Sequence, residues 1–383
     1  ELAKTALTAT FDALLRPAGR RRKRREPLNL TLGFPLDLPS PASPLSSPPH
    51  AGEHSPSLFA SSSPNSYAPL SSLPSSSSAF SSSAFSFSAL SPDAFPQYSA
   101  HALPSRASGN KSRLDASEGV SVEWIGHATT LISVNGVHIL TDPVLSERVG
   151  VKVFGKTIGI ERYAEAARTL DSLPKPDIIL LSHAHLDHAD GPTLQRLTEL
   201  YPNEIHLVTA ANTRDVAEGL AWKSLTELDW DEEISLEGIS VRGLEVRHNG
   251  WRLPWDRDRA SGDKRRGRSY NAYAISGGGK KIVFGGDTAY TPLFSRLKNE
   301  RVHLAIMPIG AYQGYESLHC TPEQALQMAN DMGAEYFAPM HCGTFDQSEE
   351  HPLEPFERMF RAARRYDFSL AWGAIGERFT LPA

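Results

Sequence analysis

The apolar run Ile178-Ile179-Leu180-Leu181 leads straight into Ser182-His183-Ala184-His185-Leu186-Asp187-His188. Four short apolar residues after Pro174 and Pro176 suit a buried strand, not a helix. Three histidines and an aspartate within six residues then sit where that strand ends. Alternate residues of an extended chain point the same way, so His183 and His185 can share one ion, while Asp187 and His188 turn toward a second. A metal-free, His-rich surface loop is the bland alternative. Clustered His and Asp at a strand end favours the metal site. The chain must therefore fold so that a buried strand terminates at a polar pocket.

Strand-like runs recur, and several end on a polar group. Val120–Ile125 reads as a strand. Thr130–Val134 and Val137–Thr141, split by Asn135-Gly136, read as a hairpin. Further strands are expected at 204–209, 239–246 (delivering His248), 270–275, 281–284 (ending at Gly285-Gly286-Asp287), 303–308 and 336–340 (delivering His341). Helices are expected at 192–200, from Thr321 (an N-cap with Pro322 and Gln324 completing a capping box) to Gly333, and at 353–366 with Phe356, Met359, Phe360 and Ala363 inward. Strands with helices between them suggest two sheets packed face to face, helices outside. His183, His185, His188, His248 and His341 with Asp187 and Asp287 make enough ligands for two zinc ions, a bridging carboxylate and an open water position. Iron or manganese also suits such donors. Asp142, after another strand, is placed to orient a ligand histidine.

The order Asp142, His183-x-His185-x-Asp187-His188, His248, Asp287, His341 resembles the metallo-β-lactamase superfamily over residues 119–383. The resemblance implies a four-layer αββα sandwich. It also implies that His183, His185 and His248 hold one metal, that Asp187, His188 and His341 hold the other, and that Asp287 bridges. Trp124-Ile125-Gly126-His127-Ala128-Thr129, Leu140-Thr141-Asp142-Pro143, Gly286-Asp287-Thr288, Pro308-Ile309-Gly310-Ala311-Tyr312 and His341-Cys342-Gly343-Thr344-Phe345 are similar to the N-acylphosphatidylethanolamine-hydrolysing phospholipase D group, with the L-ascorbate-6-phosphate lactonases a more distant branch. Ala184 and Leu186 stand where that group usually has Asn and Tyr, and the charged loop 251–268 is peculiar to this chain.

The expected activity is dinuclear hydrolysis of a phosphodiester, an N-acylated phospholipid in the first instance. Two zinc ions lower the pKa of a shared water from ~16 toward ~7, so a bridging hydroxide attacks without a protein nucleophile. The alternative is a lactonase or another ester or amide hydrolase using the same metals. A redox diiron protein would usually carry Glu where His185 stands, and the full ligand set argues against a non-catalytic binding module. Asp187 or His319 handles the proton. His319, just before a helix N-terminus, is well placed for an anion. His127 either contacts substrate or only ties down a turn. His138, His206 and His303 lie inside strands and read as structural. Cys342 reads as a small buried hydrophobe. Trp251 and Trp255 either line an apolar mouth or pack the loop down.

Composition divides the 383 residues in two: residues 1–116 carry 11 Lys+Arg and 7 Asp+Glu, residues 117–383 carry 28 and 37. The acidic part does not attract nucleic acid, so the partner expected for the folded domain is a small molecule or lipid. Residues 1–116 are expected to be a mostly disordered tail: a short amphipathic stretch, the basic run Arg20–Arg25, then Ser/Pro-rich low complexity. The basic run reads first as a solvated charge run in a tail, with nucleic acid, lipid headgroups or an import receptor as alternative partners, which leaves room for peripheral membrane contact on an otherwise cytoplasmic chain. No run of 18 apolar residues exists to span a membrane. The first residue is Glu1, so an upstream segment is expected, and the Ser-rich, acid-poor tail also has the composition of a transit peptide. Two cysteines, Cys320 and Cys342, provide no disulfide framework.

Overall fold

The computed structural model describes residues 119–154, 156–259 and 267–383. The basic run, the Ser/Pro-rich segment and the expected amphipathic stretch lie outside them.

The described strands, in chain order, are β1 (Val120–Gly126), β2 (Thr129–Val134), β3 (Val137–Thr141), β4 (Arg148–Val153), β5 (Lys156–Glu161), β6 (Ile178–Leu181), β7 (His206–Ala210), β8 (Ser224–Leu228), β9 (Glu233–Leu236), β10 (Ile239–Glu245), β11 (Asn271–Gly277), β12 (Lys280–Phe284), β13 (Leu304–Pro308), β14 (Tyr336–Met340), β15 (Ser369–Leu370) and β16 (Arg378–Thr380). Three α-helices join them: α1 (Gly191–Leu200), α2 (Pro322–Asp331) and α3 (Glu354–Ala363). One seven-stranded sheet runs β16-β1-β2-β3-β6-β7-β8 and a second runs β15-β14-β13-β12-β11-β10-β9, while β4 and β5 form a separate ribbon.

Side-chain alternation explains the layering. In β6, Ile178 and Leu180 join a core shared with Val241, Tyr273, Ile282 and Phe284 of the second sheet. Ile179 and Leu181 face the other way, toward Leu194 and Leu197 of α1. A strand buried on both faces needs an unbroken apolar run, which is why β6 reads IILL without polar alternation. On the outer side of the second sheet, Leu326 and Met328 of α2 and Phe356 and Met359 of α3 complete the core. The result is the four-layer αββα sandwich.

Local signals set the element ends. Asn135 and Gly136 both have positive φ (48° and 88°), as a tight hairpin turn between β2 and β3 demands. Thr321 Oγ1 accepts from Gln324 N, and the Gln324 side chain accepts from Thr321 N, so α2 opens on the expected capping box. α3 is shorter than its apolar pattern suggested, starting at Glu354 beside Pro355 and stopping at Ala363. The chain then bends at Tyr366 to Phe368 into β15. His303 precedes β13 instead of opening it, and its Nδ1 accepts from Lys281 N. No helix of the described residues is long and apolar enough to cross a membrane.

Candidate metal centre

Strand ends from both sheets converge at one edge of the sandwich. β6 runs parallel between β3 and β7, so Asp142, which follows β3, lies beside Ser182 and His183, which follow β6. In the second sheet β12, β13 and β14 are parallel. Asp287 lies three residues past β12, and His341 directly follows β14. β10 shares their direction and leads to His248, while β1 leads to His127. Gly286 has φ +54°, and a Cβ there would stand 2.8 Å from Ser182 Cβ. Only glycine allows the two sheets to approach so closely at Asp287.

Ligand-type atoms gather into two main groups whose members lie within 4.8 Å of one another: His183, His185, His248 and Asp287; and His127, Asp187, His188 and His341. A third set, Asp287, His319 and His341, overlaps them. Asp287 sits between the groups. Its Oδ2 is 3.1 Å from His341 Nε2, 3.2 Å from His188 Nε2, 3.7 Å from His248 Nε2, 3.8 Å from His319 Nδ1 and 4.0 Å from His183 Nε2. Thus the structure brings together every histidine and aspartate that the sequence nominated as a ligand or proton carrier.

The hydrogen bonds show which ring atoms are left to bind. Ser182 Oγ donates to Asp142 Oδ2 at 2.6 Å and so accepts from His183 Nδ1 at 2.8 Å. Asp142 Oδ2 also accepts from His188 Nδ1 at 2.7 Å. His248 Nδ1 donates to the Leu318 carbonyl at 2.9 Å. Each of these rings therefore keeps a proton on Nδ1 and turns its Nε2 toward Asp287. His185 is reversed: Nε2 donates to Asn249 Oδ1 at 2.8 Å, leaving Nδ1 free, 3.3 Å from His248 Nε2. Two nitrogens on one tetrahedral zinc, each at ~2.0–2.1 Å, stand roughly that far apart.

Eight buried atoms in this cluster have no hydrogen-bond partner among the described residues: His127 Nδ1, His183 Nε2, His188 Nε2, both Asp287 oxygens, His319 Nδ1 and both His341 nitrogens. An unpaired buried polar atom costs about 1–3 kcal/mol, and four of them, His183 Nε2, His188 Nε2, His319 Nδ1 and His341 Nε2, lie within 4.0 Å of Asp287 Oδ2, so they share one potential partner. Lone pairs of imidazole and carboxylate facing each other repel unless a cation lies between them. The residues present thus fit divalent metal.

Electrostatics agree at two rings, whereas at His188 and His341 burial is outweighed by the Asp287 and Asp187 carboxylates, which raise both, His341 to about 9, so a metal there would have to displace a proton. Burial, then the neighbouring imidazoles, holds His183 and His248 well below the ordinary histidine range, so both offer lone pairs at neutral pH. Burial pushes the carboxyls of Asp187 and Asp287 up, but the adjacent histidines win and hold both well below the usual carboxylate range. The backbone at the centre is strained: Asp142, His127 and His341 have positive φ without being glycine. His341 N donates to the His127 carbonyl at 3.0 Å, and Thr344 Oγ1 accepts from His127 N at 2.8 Å, so each strained residue is pinned by its neighbours.

His127 is 1% exposed, and its Nε2 donates to Asp187 Oδ2 at 3.0 Å, so it meets the metal cluster itself instead of an open mouth. His319 is more open, 13% exposed like Asp187. Trp255 is 76% exposed and does not pack its loop down, whereas Trp251 is half-buried. Cys342 is buried. Beside His341 a small cleft of about 20 Å³, room for roughly one water, is lined by Tyr163, Ala311, Cys342, Phe345, Gln347 and Glu350.

Four positioning residues escaped the sequence reading. Ser182 relays Asp142 to His183, and its one signal was a polar residue closing an apolar run. Asn249, which fixes His185, is chain neighbour to His248. Gln347 donates to Asp187 Oδ2 at 2.6 Å, and Arg252 Nη1 donates to the carbonyls of Ala184 and Ala189 at 2.8 and 2.9 Å. Neither lies in a periodic segment that would have flagged it.

Comparison with known proteins follows the same line. The sequence model of the Beta-lactamase superfamily domain matches residues 138–342, from β3 to the residue after His341. An uncharacterized protein of Mycobacterium tuberculosis is 31% identical over 281 residues, 71% of this chain and 71% of that protein. The N-acyl-phosphatidylethanolamine-hydrolyzing phospholipase D 1 of Caenorhabditis elegans is 29% identical over 258 residues, 63% of this chain and 69% of its own. Among solved structures, isothiocyanate hydrolase from Delia radicum gut bacteria superposes with a TM-score of 0.54 at 17% identity, covering 69% of this chain and all (100%) of that one, which shows the shared fold. The chain belongs to the metallo-β-lactamase superfamily of metal-dependent hydrolases, on the branch that includes these phospholipase D relatives.

Proposed function

We propose that this chain is a dinuclear zinc phosphodiesterase of phospholipase D type, acting on N-acylated phosphatidylethanolamine. The observation that carries the reading is the pair of ligand groups meeting at Asp287, joined to the resemblance to the nematode phospholipase. His183, His185 and His248 would hold one ion, Asp187, His188 and His341 the other, with Asp287 between. When bound, the ions supply Lewis acidity: they make a water nucleophilic near neutral pH and stabilise charge developing on phosphoryl oxygens.

The chain's own groups do the rest. Asp187 Oδ2 is already occupied by His127 and Gln347, which hold it as an anion. His319 Nδ1 lies on the more open side, and burial holds its ring down to about 4, so it is unprotonated at neutral pH and would accept a proton instead of holding one at rest.

The test uses the full chain loaded with zinc and N-acylphosphatidylethanolamine in mixed micelles, with mass spectrometry of the products. Phosphatidic acid and N-acylethanolamine should form, and should vanish with Asp287→Ala. Protein shown to hold two ions yet yielding no product would overturn the lipid assignment and bring lactones and small phosphodiesters forward.

A further inference from the structure

The ribbon β4–β5 belongs to neither large sheet. Its register pairs Val149 with Ile160, Val151 with Ile158 and Val153 with Lys156. Paired residues and those two apart share a face, so Val149, Val151, Val153, Ile158 and Ile160 form one apolar stripe that ends at the tip in Lys156, the partner of Val153. The opposite face carries the Arg148–Glu161 ion pair (2.8 Å), Gly150 against Gly159 and Lys152 against Thr157.

At its root the stripe is packed: Val149 and Ile160 lie against Val144 and Phe345. Toward the tip the packing ends. Val153 is 38% exposed, Ile158 46%, and Phe154 103%, fully in solvent. Phe154 also has φ +48°, a conformation that a bulky side chain rarely adopts. A short ribbon that ends in an exposed aromatic gains nothing from water.

Charge selects the occupant. Lys152 and Lys156 are exposed beside the tip and make no ion pair among the described residues. The rest of residues 117–383 is acidic overall. A second copy of this ribbon would set lysines against lysines. An anionic lipid surface takes the aromatic into its interface and the lysine heads among its phosphates.

The root leads to the metal centre. Arg162 forms a bridge with Phe345 and lies over its ring at 5.2 Å, Tyr163 N donates to the Thr344 carbonyl at 2.9 Å, and the Phe345 ring is 5.0 Å from His127. We propose that the β4–β5 hairpin docks the enzyme on an anionic phospholipid bilayer, with Phe154, Val153 and Ile158 entering the interface and Lys152 and Lys156 contacting headgroups. A docking hairpin serves the phospholipid substrate proposed above and rests on that reading for its purpose. Vesicle binding is measured without turnover, so either can fail alone.

Both native cysteines are buried, so a thiol-reactive, polarity-sensitive fluorophore will report from Phe154→Cys in the full chain. Glu199→Cys, on the exposed side of α1, is the control. Vesicles of phosphatidylcholine with phosphatidylserine should shift the emission to the blue at position 154 and not at 199. Val153→Ser with Ile158→Ser should weaken vesicle partition on the order of tenfold with the unfolding temperature unchanged. A probe at 154 that stays water-like on sedimented, vesicle-bound protein would overturn the proposal. So would full chain that fails to sediment with the vesicles, or a blue shift that grows with protein concentration in their absence.

Discussion

Asp142→Asn should disable ligands in both groups at once, although Asp142 is not itself assigned to a metal. Its Oδ1 accepts from Ser182 N at 2.7 Å, while its Oδ2 accepts from Ser182 Oγ at 2.6 Å and His188 Nδ1 at 2.7 Å. An amide has one acceptor end, so either orientation sets NH₂ against a donor. With the oxygen kept toward Ser182 N, His188 relaxes by accepting at Nδ1, which moves its proton to Nε2, the atom that faces Asp287. Ser182 Oγ now accepts from the amide and donates to His183 Nδ1, which moves the His183 proton to Nε2 as well. Restoring either binding tautomer sacrifices a hydrogen bond to a charged group, about 1.5–3 kcal/mol, and each 1.4 kcal/mol is roughly tenfold in affinity. Zinc affinity should therefore fall about 10–100-fold at both sites, in line with other substitutions of groups that orient metal ligands. Competition against a chromophoric chelator, with elemental analysis, reads both constants. If Asp142→Asn holds two ions within about threefold of the wild-type affinity, the tautomer relay is wrong.

Three further outcomes follow from the geometry. Arg252→Ala removes the clamp on the Ala184 and Ala189 carbonyls and should lower kcat/KM about 10–100-fold with the fold intact by circular dichroism, and wild-type turnover would sink the positioning role. Chelation should lower the unfolding temperature reversibly, because zinc at 100–1,000 times its Kd stabilises by about 2.7–4 kcal/mol per site, and an unchanged melt with and without chelator would contradict the metal assignment. Glu123 is buried, which pushes its carboxyl up, yet Arg168 (2.6 Å) and Arg378 (2.9 Å) hold it below the ordinary glutamate value of 4.5. Its folded pKa is thus depressed, so its stabilisation is complete above about pH 4.5 and lost as pH falls through the folded pKa. Urea unfolding should find Glu123→Gln roughly 3 kcal/mol weaker at pH 7, and the gap should shrink in acid. A gap that stays constant down to pH 3 would refute the pairing.

The candidate ligand residues were legible because each terminates a buried strand, and buried strands announce themselves as uninterrupted or alternating apolar runs. β6 and β14 show this, with His183 and His341 at their ends. What stayed hidden was irregular. The ribbon β4–β5 is broken by Gly150, Gly159 and two lysines, so its alternation is weak on paper and clear once the register is known. β8 and β9 are short and largely half-buried, with little to separate them from loop. His127 meets Asp187 only because its backbone adopts φ +49°, a conformation that no periodicity encodes. Gln347 and Arg252 reach the centre across 160 and more than 60 residues of sequence, through contacts that arise from tertiary packing.

Each sheet supplies part of the constellation: His183, His185, Asp187 and His188 follow β6 of the first, while His248, Asp287 and His341 follow strands of the second. The same edge carries direct links between them, Tyr273 Oη donating to the Leu181 carbonyl at 2.7 Å and Asn271 N to the Ser182 carbonyl at 2.9 Å. Between the sheets lies apolar packing, which resists separation but is indifferent to small sliding. Ions bridging the two ligand sets would act as a clasp, setting how far the leaves of the sandwich part at their rim. Metal content would then govern the width of the opening as well as the chemistry within it.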